Sequence, residues 1–349
     1  MPKTAKNLWP RVVEWENLMD AAKAASQGRR CYRAVLEFNF RLWENLTRLR
    51  ELLVQGLWRP GPYRELWVRE PKLRLVHAPE FTDRVVHHAL VQVAGPFFEK
   101  RFMDCSFACR RGKGTHAASE HMSRMLRQAR DRWDSVYVLK ADIAKYFFSI
   151  DHSILMDILA RTIGDRRMLE AFRLLVESGP APLGSAGLPL GALTSQLFAN
   201  AYLDVLDHYV KDRLGVKLYV RYMDDFIILD GCKAALWELL AEIRDFLAVR
   251  LKLSLNRKTK VFPASQGVDF AGYRHWASHT LPRKRNVRRA AKRFKGLSRA
   301  YARGDVPLDR VRSCMASFVG YMVHCKGWRS AGSALSGLVL IGRGKDRER

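Results

Sequence analysis

The chain has 349 residues, 48% of them hydrophobic, which excludes global disorder and leaves room for more than one lobe. Its 61 Lys and Arg against 35 Asp and Glu give a net charge of +26, which points to a polyanionic partner, nucleic acid first. No apolar run approaches the roughly 20 residues of a membrane span, and the opening "MPKTAKNLWP" holds no signal-peptide core.

In chain order, residues 11–58 read as helical, with Val12, Trp15, Leu18 and Met19 at helical spacing. "RPGPY" (59–63) breaks the pattern, and 64–79 alternates like a hairpin turning near Glu70-Pro71. A helix is expected from about Asp83 to Phe98, and "SVYVLKAD" (135–142) is a short apolar strand ending in a carboxylate. Residues 153–177 read as helical and 178–191 as a Gly/Pro-rich loop. From Leu193 a helix places Leu193, Leu197, Ala201 and Val205 on one face. "RYMDDFIIL" (221–229), preceded by Leu218, Tyr219 and Val220, reads as strand-turn-strand. Residues 246–262 and "VDFAGYRHW" (268–276) supply further strands and turns. From about Leu281 the chain is basic and mostly helical, with a frayed tail "GRGKDRER". This order suits an α+β enzyme carrying a basic helical module at its end. The six cysteines, Cys31, Cys105, Cys109, Cys232, Cys314 and Cys325, form no zinc-like set and read as reduced, buried or half-buried thiols. His77, His87, His88 and His116 are not spaced as a metal set and read as packing or hydrogen-bonding residues.

Asp224 and Asp225 stand side by side between apolar arms. Two close carboxylates repel unless a cation compensates them. A third acid, Asp142, ends an apolar strand. Hard oxygen ligands suit Mg²⁺ that also takes substrate phosphates, and a pair of such ions stabilises phosphoryl transfer. A plain polar hairpin tip is the alternative, and spacing alone leaves the two open.

Several stretches together resemble the reverse transcriptases. "YMDD" (222–225) looks like their catalytic motif, "ADIAKYFFSID" (141–151) their first palm motif and "LPLGALTSQLFAN" (188–200) their palm loop-helix motif. "LKLSLNRKTKV" (251–261) is similar to the following lysine motif and "FAGY" (270–273) to the primer-grip turn. "REPKLRLVHAPEFTDRVVHHAL" and "FEKRFMDCSFACRRGKGTHAA" resemble the fingers motifs, so the likeness runs from about 60 to 330. Leu190-Gly191 with Ser195-Gln196, where most of these enzymes carry Gln-Gly and Ser-Pro, is similar to the enzymes of diversity-generating retroelements, as is "VVEWENLMDAA" (12–22).

The resemblance implies a right-hand polymerase fold with an antiparallel palm sheet. N-terminal helices and fingers would occupy 1–139 and the palm 140–276, with a fingers insertion at about 153–187. The thumb and basic tail would follow at 277–349. It implies an RNA-directed DNA polymerase that copies a template-repeat RNA into adenine-mutagenised cDNA for diversification of a target gene. Its partners would be that RNA, the cDNA or primer, dNTPs and a small oligomeric accessory variability protein, with no membrane. The setting would be the cytoplasm, the gene bacterial or phage-borne.

By the same resemblance, Asp142, Asp224 and the carbonyl of Ile143 hold Mg²⁺ with the triphosphate, and Asp225 supports a second ion; Mn²⁺ can substitute. Phe147 is the gate against a ribose 2′-hydroxyl, although by pattern alone it reads as packing beside Tyr146 and Phe148. Lys72 and Arg74 meet the triphosphate, and Lys258 donates a proton to pyrophosphate; each is otherwise an ordinary solvated charge. Leu190 lacks the hydrogen-bonding capacity of the usual Gln, which weakens discrimination, and Gln196 helps position the same site. Tyr222, Met223, Gly272 and Tyr273 belong to the template-primer contacts. Arg285, Arg289, Lys292 and Arg293 join them from the acid-free stretch 281–300, which otherwise serves as a solvated or accessory-docking face. An intron-like or phage-defence reverse transcriptase, and a non-catalytic RNA-binding scaffold, stay open as alternatives.

Overall fold

The computed structural model describes residues 4–69, 73–179 and 185–341. The hairpin turn at Glu70-Pro71, Lys72, part of the 178–191 loop and the tail from 342 lie outside the described residues.

The run predicted as one helix over 11–58 forms α1 (Trp9–Val12), α2 (Trp15–Ser26), α3 (Arg33–Phe40) and α4 (Leu42–Gln55). It breaks after Gln27 because Gly28 takes φ +72, and again at Arg41, whose φ of −117° and ψ of 43° are not helical. The expected hairpin is β1 (Arg64–Val68) paired antiparallel with β2 (Arg74–Ala78). There follow α5 (Phe81–Glu99), α6 (Thr115–Arg132) and β3 (Tyr137–Asp142). The helical run at 153–177 is two helices, α7 (His152–Ala160) and α8 (Arg166–Glu177). Their break is paired with the N-terminal segment: Ala5 N–H donates to the Thr162 carbonyl (2.9 Å) and Gly164 N–H to that of Ala5 (2.7 Å). Asp165 then caps α8 through Met168 N–H (3.1 Å) while its other oxygen accepts from Leu8 and Trp9 N–H, so one carboxylate starts two helices.

Next come α9 (Leu193–His208), β4 (Tyr219–Tyr222) and β5 (Asp225–Asp230), the predicted strand-turn-strand. The face expected on α9 is half-buried apart from Ala201; the helix is buried on nearly all sides, with Phe198, Tyr202 and Leu206 deepest. The chain continues with α10 (Lys233–Leu251), β6 (Lys260–Pro263), β7 (Val268–Phe270), β8 (Tyr273–His275) and β9 (Thr280–Pro282). It closes with α11 (Lys284–Arg303), α12 (Leu308–Val323) and α13 (Trp328–Leu335). Residues 246–251, expected in a strand, are the end of α10. Leu247 and Leu251 are buried and Val249 is exposed, an alternation that also fits the helical set Leu236, Leu240, Ile243, Leu247 and Leu251, all buried.

The chain divides into two compact units. The first comprises 1–110, 141–226 and 238–259, where α5 packs on α2 and on α9. The second comprises 111–140, 227–237 and 260–349. It contains the β7-β8-β9 sheet and a three-helix cluster around Phe294, Phe318 and Met322. Four strands run in the order β4-β5-β3-β6, and the division falls within β3 and β5. Among the described residues no helix is long and apolar enough to cross a membrane. All six cysteines are free, but Cys31, Cys109 and Cys232 are exposed rather than buried as expected, because each sits in a turn or break between regular elements.

Candidate active site

The apolar arms of the Asp-Asp turn anchor it: Tyr219 and Val220 before it and Phe226 to Leu229 after it are buried. At the turn itself Met223 takes φ +57, a left-handed conformation that costs a non-glycine residue about 1–3 kcal/mol and persists only where surroundings impose it. One such constraint is Ile143 N–H, just past the end of β3, which donates to the Asp224 carbonyl (3.2 Å). This stitches Asp142, the last residue of β3, to the turn. Asn256 holds Asp142 in its place, its N–H on the Asp142 carbonyl (2.7 Å) and its Nδ2 on carboxylate Oδ2 (3.1 Å). The structure thus brings Asp142, Ile143, Asp224 and Asp225 together at one end of the strands, all within the first unit.

Their charges interact. Burial, and then the negative charge of Asp142, push the Asp224 carboxyl up to about 6, Asp225 adds to the rise, and Arg74 opposes it. A carboxyl raised by burial and by a neighbouring acid carries its charge at a cost that a bound cation relieves. Among the described residues no three His, Cys, Asp or Glu side chains are gathered as a ready metal cluster. Two carboxylates plus a backbone carbonyl make an incomplete, all-oxygen set, which fits Mg²⁺ completed by waters and substrate phosphates.

The first unit also holds Arg74, Phe147, Leu190, Gln196 and Lys258. Arg74 opens β2, exposed yet felt by Asp224; its predicted companion Lys72 lies outside the described residues. Phe147 is half-buried, its carbonyl accepting from Leu188 N–H (2.7 Å), which joins the first acid's segment to the Leu190 loop. Leu190 is half-buried and its carbonyl accepts from His77 N–H of β2 (2.6 Å). The next residue, Gly191, has φ +116 and lies so close to β2 that a Cβ would stand 2.7 Å from Val76 Cγ1 and 3.0 Å from the His77 carbonyl. Gln196 is half-buried in the first turn of α9. Lys258 is exposed, in a turn closed by its own N–H on Asn256 Oδ1 (3.1 Å).

The histidines behave as packing residues. His87 Nδ1 lies 2.8 Å from Thr194 Oγ1, and burial drives its pKa down to about 3, so it is neutral. His77 is buried and His116 stacks on His324 at 3.7 Å.

In the second unit, Gly272 lies in the β7–β8 turn with Ala271, and Tyr273 opens β8. Tyr273 is buried, its ring stacked on Tyr321 at 4.7 Å and its hydroxyl donating to the Tyr321 carbonyl (2.9 Å), so it serves the shape of the turn. On α11, Phe294 is buried while Arg285, Lys292 and Arg293 are exposed and Arg289 half-buried, a basic stripe opposite a packed face.

Sequence reasoning missed the group behind the turn. Arg221, on β4, is fully buried and pairs side-on with Asp207 of α9, Nε to Oδ1 at 2.7 Å and Nη2 to Oδ2 at 2.6 Å. Its Nη1 donates to the Met223 carbonyl (3.0 Å). Asn200, Asp204 and Asp207 recur at i, i+4 and i+7 and are all buried, the signal that a polar partner is buried there. Asn256 beside Asp142 left no pattern to find.

The sequence pattern described as "Reverse transcriptase (RNA-dependent DNA polymerase)" matches residues 68–275, more than half of the chain. Protein YkfC of Escherichia coli K12 is 29% identical over 345 residues, covering 86% of this chain and 84% of its own. The group II intron-encoded protein LtrA of Lactococcus lactis is 24% identical, covering 70% of this chain and 52% of LtrA, so the chain spans about half of that relative. Apo telomerase from Candida tropicalis superposes with a TM-score of 0.50 at 11% identity, over 63% of this chain and 48% of that one. The mixed helices and antiparallel sheets are those of the right-hand polymerase fold.

Proposed function

This chain belongs to the reverse transcriptase family, the RNA-dependent DNA polymerases, and from that membership we propose that it is the mutagenic polymerase of a diversity-generating retroelement. It would copy a template-repeat RNA into adenine-mutagenised cDNA, in the cytoplasm of a bacterium, together with a small oligomeric accessory protein. The observation that carries this reading is Leu190-Gly191 followed by Ser195-Gln196 at the start of α9. A second reading, an intron-type reverse transcriptase, is favoured by the similarity to LtrA.

In the proposed reaction the primer 3′-hydroxyl attacks the α-phosphate of a dNTP and pyrophosphate leaves. Asp142, Asp224 and the Ile143 carbonyl would hold the divalent cation, with Asp225 in support. When bound, such ions supply Lewis acidity to the attacking and leaving oxygens. Arg74, with Lys72, pairs the triphosphate. Phe147 excludes a 2′-hydroxyl, and Lys258 gives a proton to the departing pyrophosphate. The division proposed is fingers at 1–139, palm at 140–276 and thumb from 277, with the β7–β8 turn and α11 tracking the template-primer backbone.

The experiment is primer extension on an RNA template with Mg²⁺, with and without accessory protein, followed by sequencing of the cDNA. Errors concentrated opposite template adenines are expected, and Leu190→Gln should lower them severalfold; faithful copying by the wild type returns the chain to the intron-type reading. For α11, replacing Arg285, Arg289, Lys292 and Arg293 with Gln should flatten the dependence of log affinity on log salt by about 0.7–0.9 for each phosphate left without its cationic partner. Template-primer affinity measured across a salt series checks this, and an unchanged slope removes α11 from the interface.

A further inference from the structure

The strained turn carrying Asp224 is fixed from two sides. In front, Ile143 N–H takes the Asp224 carbonyl; behind, Arg221 Nη1 takes the carbonyl of Met223, the residue just before it. The peptide planes on both sides of Asp224 are therefore pinned, which fixes where its Cα–Cβ bond points. Arg221 is itself immobilised. Its N–H donates to the Cys105 carbonyl (2.8 Å), its carbonyl accepts from Phe107 N–H (3.0 Å), and its guanidinium is locked to Asp207 by two bonds. Asp207 is in turn fixed by the Tyr219 hydroxyl (2.6 Å).

Burying a charged pair gains little stability by itself, and an apolar pair of similar volume often does as well. What an apolar pair cannot do is donate to the Met223 carbonyl. A guanidinium can hold a carboxylate with one edge and donate elsewhere with its third nitrogen, whereas a lysine ammonium on this strand presents a single point. We propose that Arg221, anchored by Asp207, is the positioning residue of the catalytic turn: it holds the Met223 peptide in its left-handed conformation and so aims the Asp224 carboxylate. This rests on the polymerase reading above.

The test uses the full chain with Arg221→Lys, which keeps a charge opposite Asp207 but loses the fork. The expected result is a folded protein with unchanged template-primer affinity, a kcat at least about tenfold lower and a KM for dNTP within about threefold of wild type. Mn²⁺ titration followed by electron paramagnetic resonance, a reading that needs no turnover, should show at least about tenfold weaker binding. A folded Arg221→Lys with wild-type kcat and wild-type Mn²⁺ affinity overturns the proposal. Should that variant not fold, Asp207→Asn keeps the bond to Met223 but loosens the anchor; it must show the same pattern more weakly, and wild-type values there overturn the proposal equally. A wild-type chain that extends no primer refutes the polymerase reading, and the Mn²⁺ titration still decides the role of Arg221.

Discussion

Asp224→Asn should abolish primer extension while making the metal-free protein more stable at neutral pH. The first half follows from the chemistry. Removing one of two carboxylates from an incomplete metal set leaves the phosphoryl transfer without its charge-compensating ion, a loss of about a thousandfold or more. Template-primer affinity should stay near wild type, because Asp224 is not part of the basic surface, and this separates an enzyme from a binding scaffold. The second half follows from the raised pKa. The folded protein disfavours the charged form of Asp224, whose carboxyl titrates at about 6 instead of the ordinary 3.8. Well below the ordinary 3.8, at about pH 3 and under, the group is neutral whether folded or not, and there is no penalty. As pH rises towards about 6 the unfolded chain ionises first, so stability is lost across that window and stays lost above it. A shift of this size corresponds to about 2 kcal/mol after allowance for partial exposure. Denaturant unfolding without divalent ions should therefore show Asp224→Asn more stable by about that amount at pH 7.5 and nearly equal to wild type at about pH 3. Added Mg²⁺ should narrow the gap. Equal stability at both pH values would mean that the fold does not disfavour the charged Asp224 carboxylate.

The same turn shows what a sequence discloses and what it withholds. Its two strands were legible because apolar arms flank two acids, and Asp142 was legible as an acid ending an apolar strand. The amphipathic α11 was legible because its basic residues leave Val287, Phe294 and Leu297 on one face. Arg221 was not, because an arginine in a strand next to a polar turn reads as a solvated residue. Only the approach of α9, bringing Asp207 from 14 residues upstream, makes burial tolerable. Residues 246–251 misled for another reason. Leu247, Val249 and Leu251 alternate like a strand, yet the same leucines complete a helical series begun at Leu236, and length decides for the helix. The break between α7 and α8 escaped because the N-terminal strap that pairs with Thr162 and Gly164 lies some 150 residues away in sequence.

Gly191→Ala should disable the enzyme through the hairpin rather than through the acids. The β1–β2 hairpin is exposed along the whole of β1, so its orientation depends on ties made by β2. One tie is the His77–Leu190 backbone bond at 2.6 Å, and Gly191 follows immediately with φ +116. Alanine there meets two obstacles. Its Cβ would press on Val76 Cγ1, which can rotate away, and on the His77 carbonyl, which cannot move without breaking the bond beside it. The backbone conformation itself adds about 1–3 kcal/mol of strain for any side chain. The cheapest relief is to push β2 off the loop, carrying Arg74 away from Asp224. The expected result is a folded protein whose KM for dNTP rises about tenfold or more, with template-primer affinity unchanged. Adding Val76→Ala removes the side-chain obstacle only, so it should restore less than half of the lost kcat/KM. Single-nucleotide extension by both variants measures this. A folded Gly191→Ala with wild-type KM would show that the hairpin takes no part in holding the nucleotide, and would return Arg74 to an ordinary solvated charge.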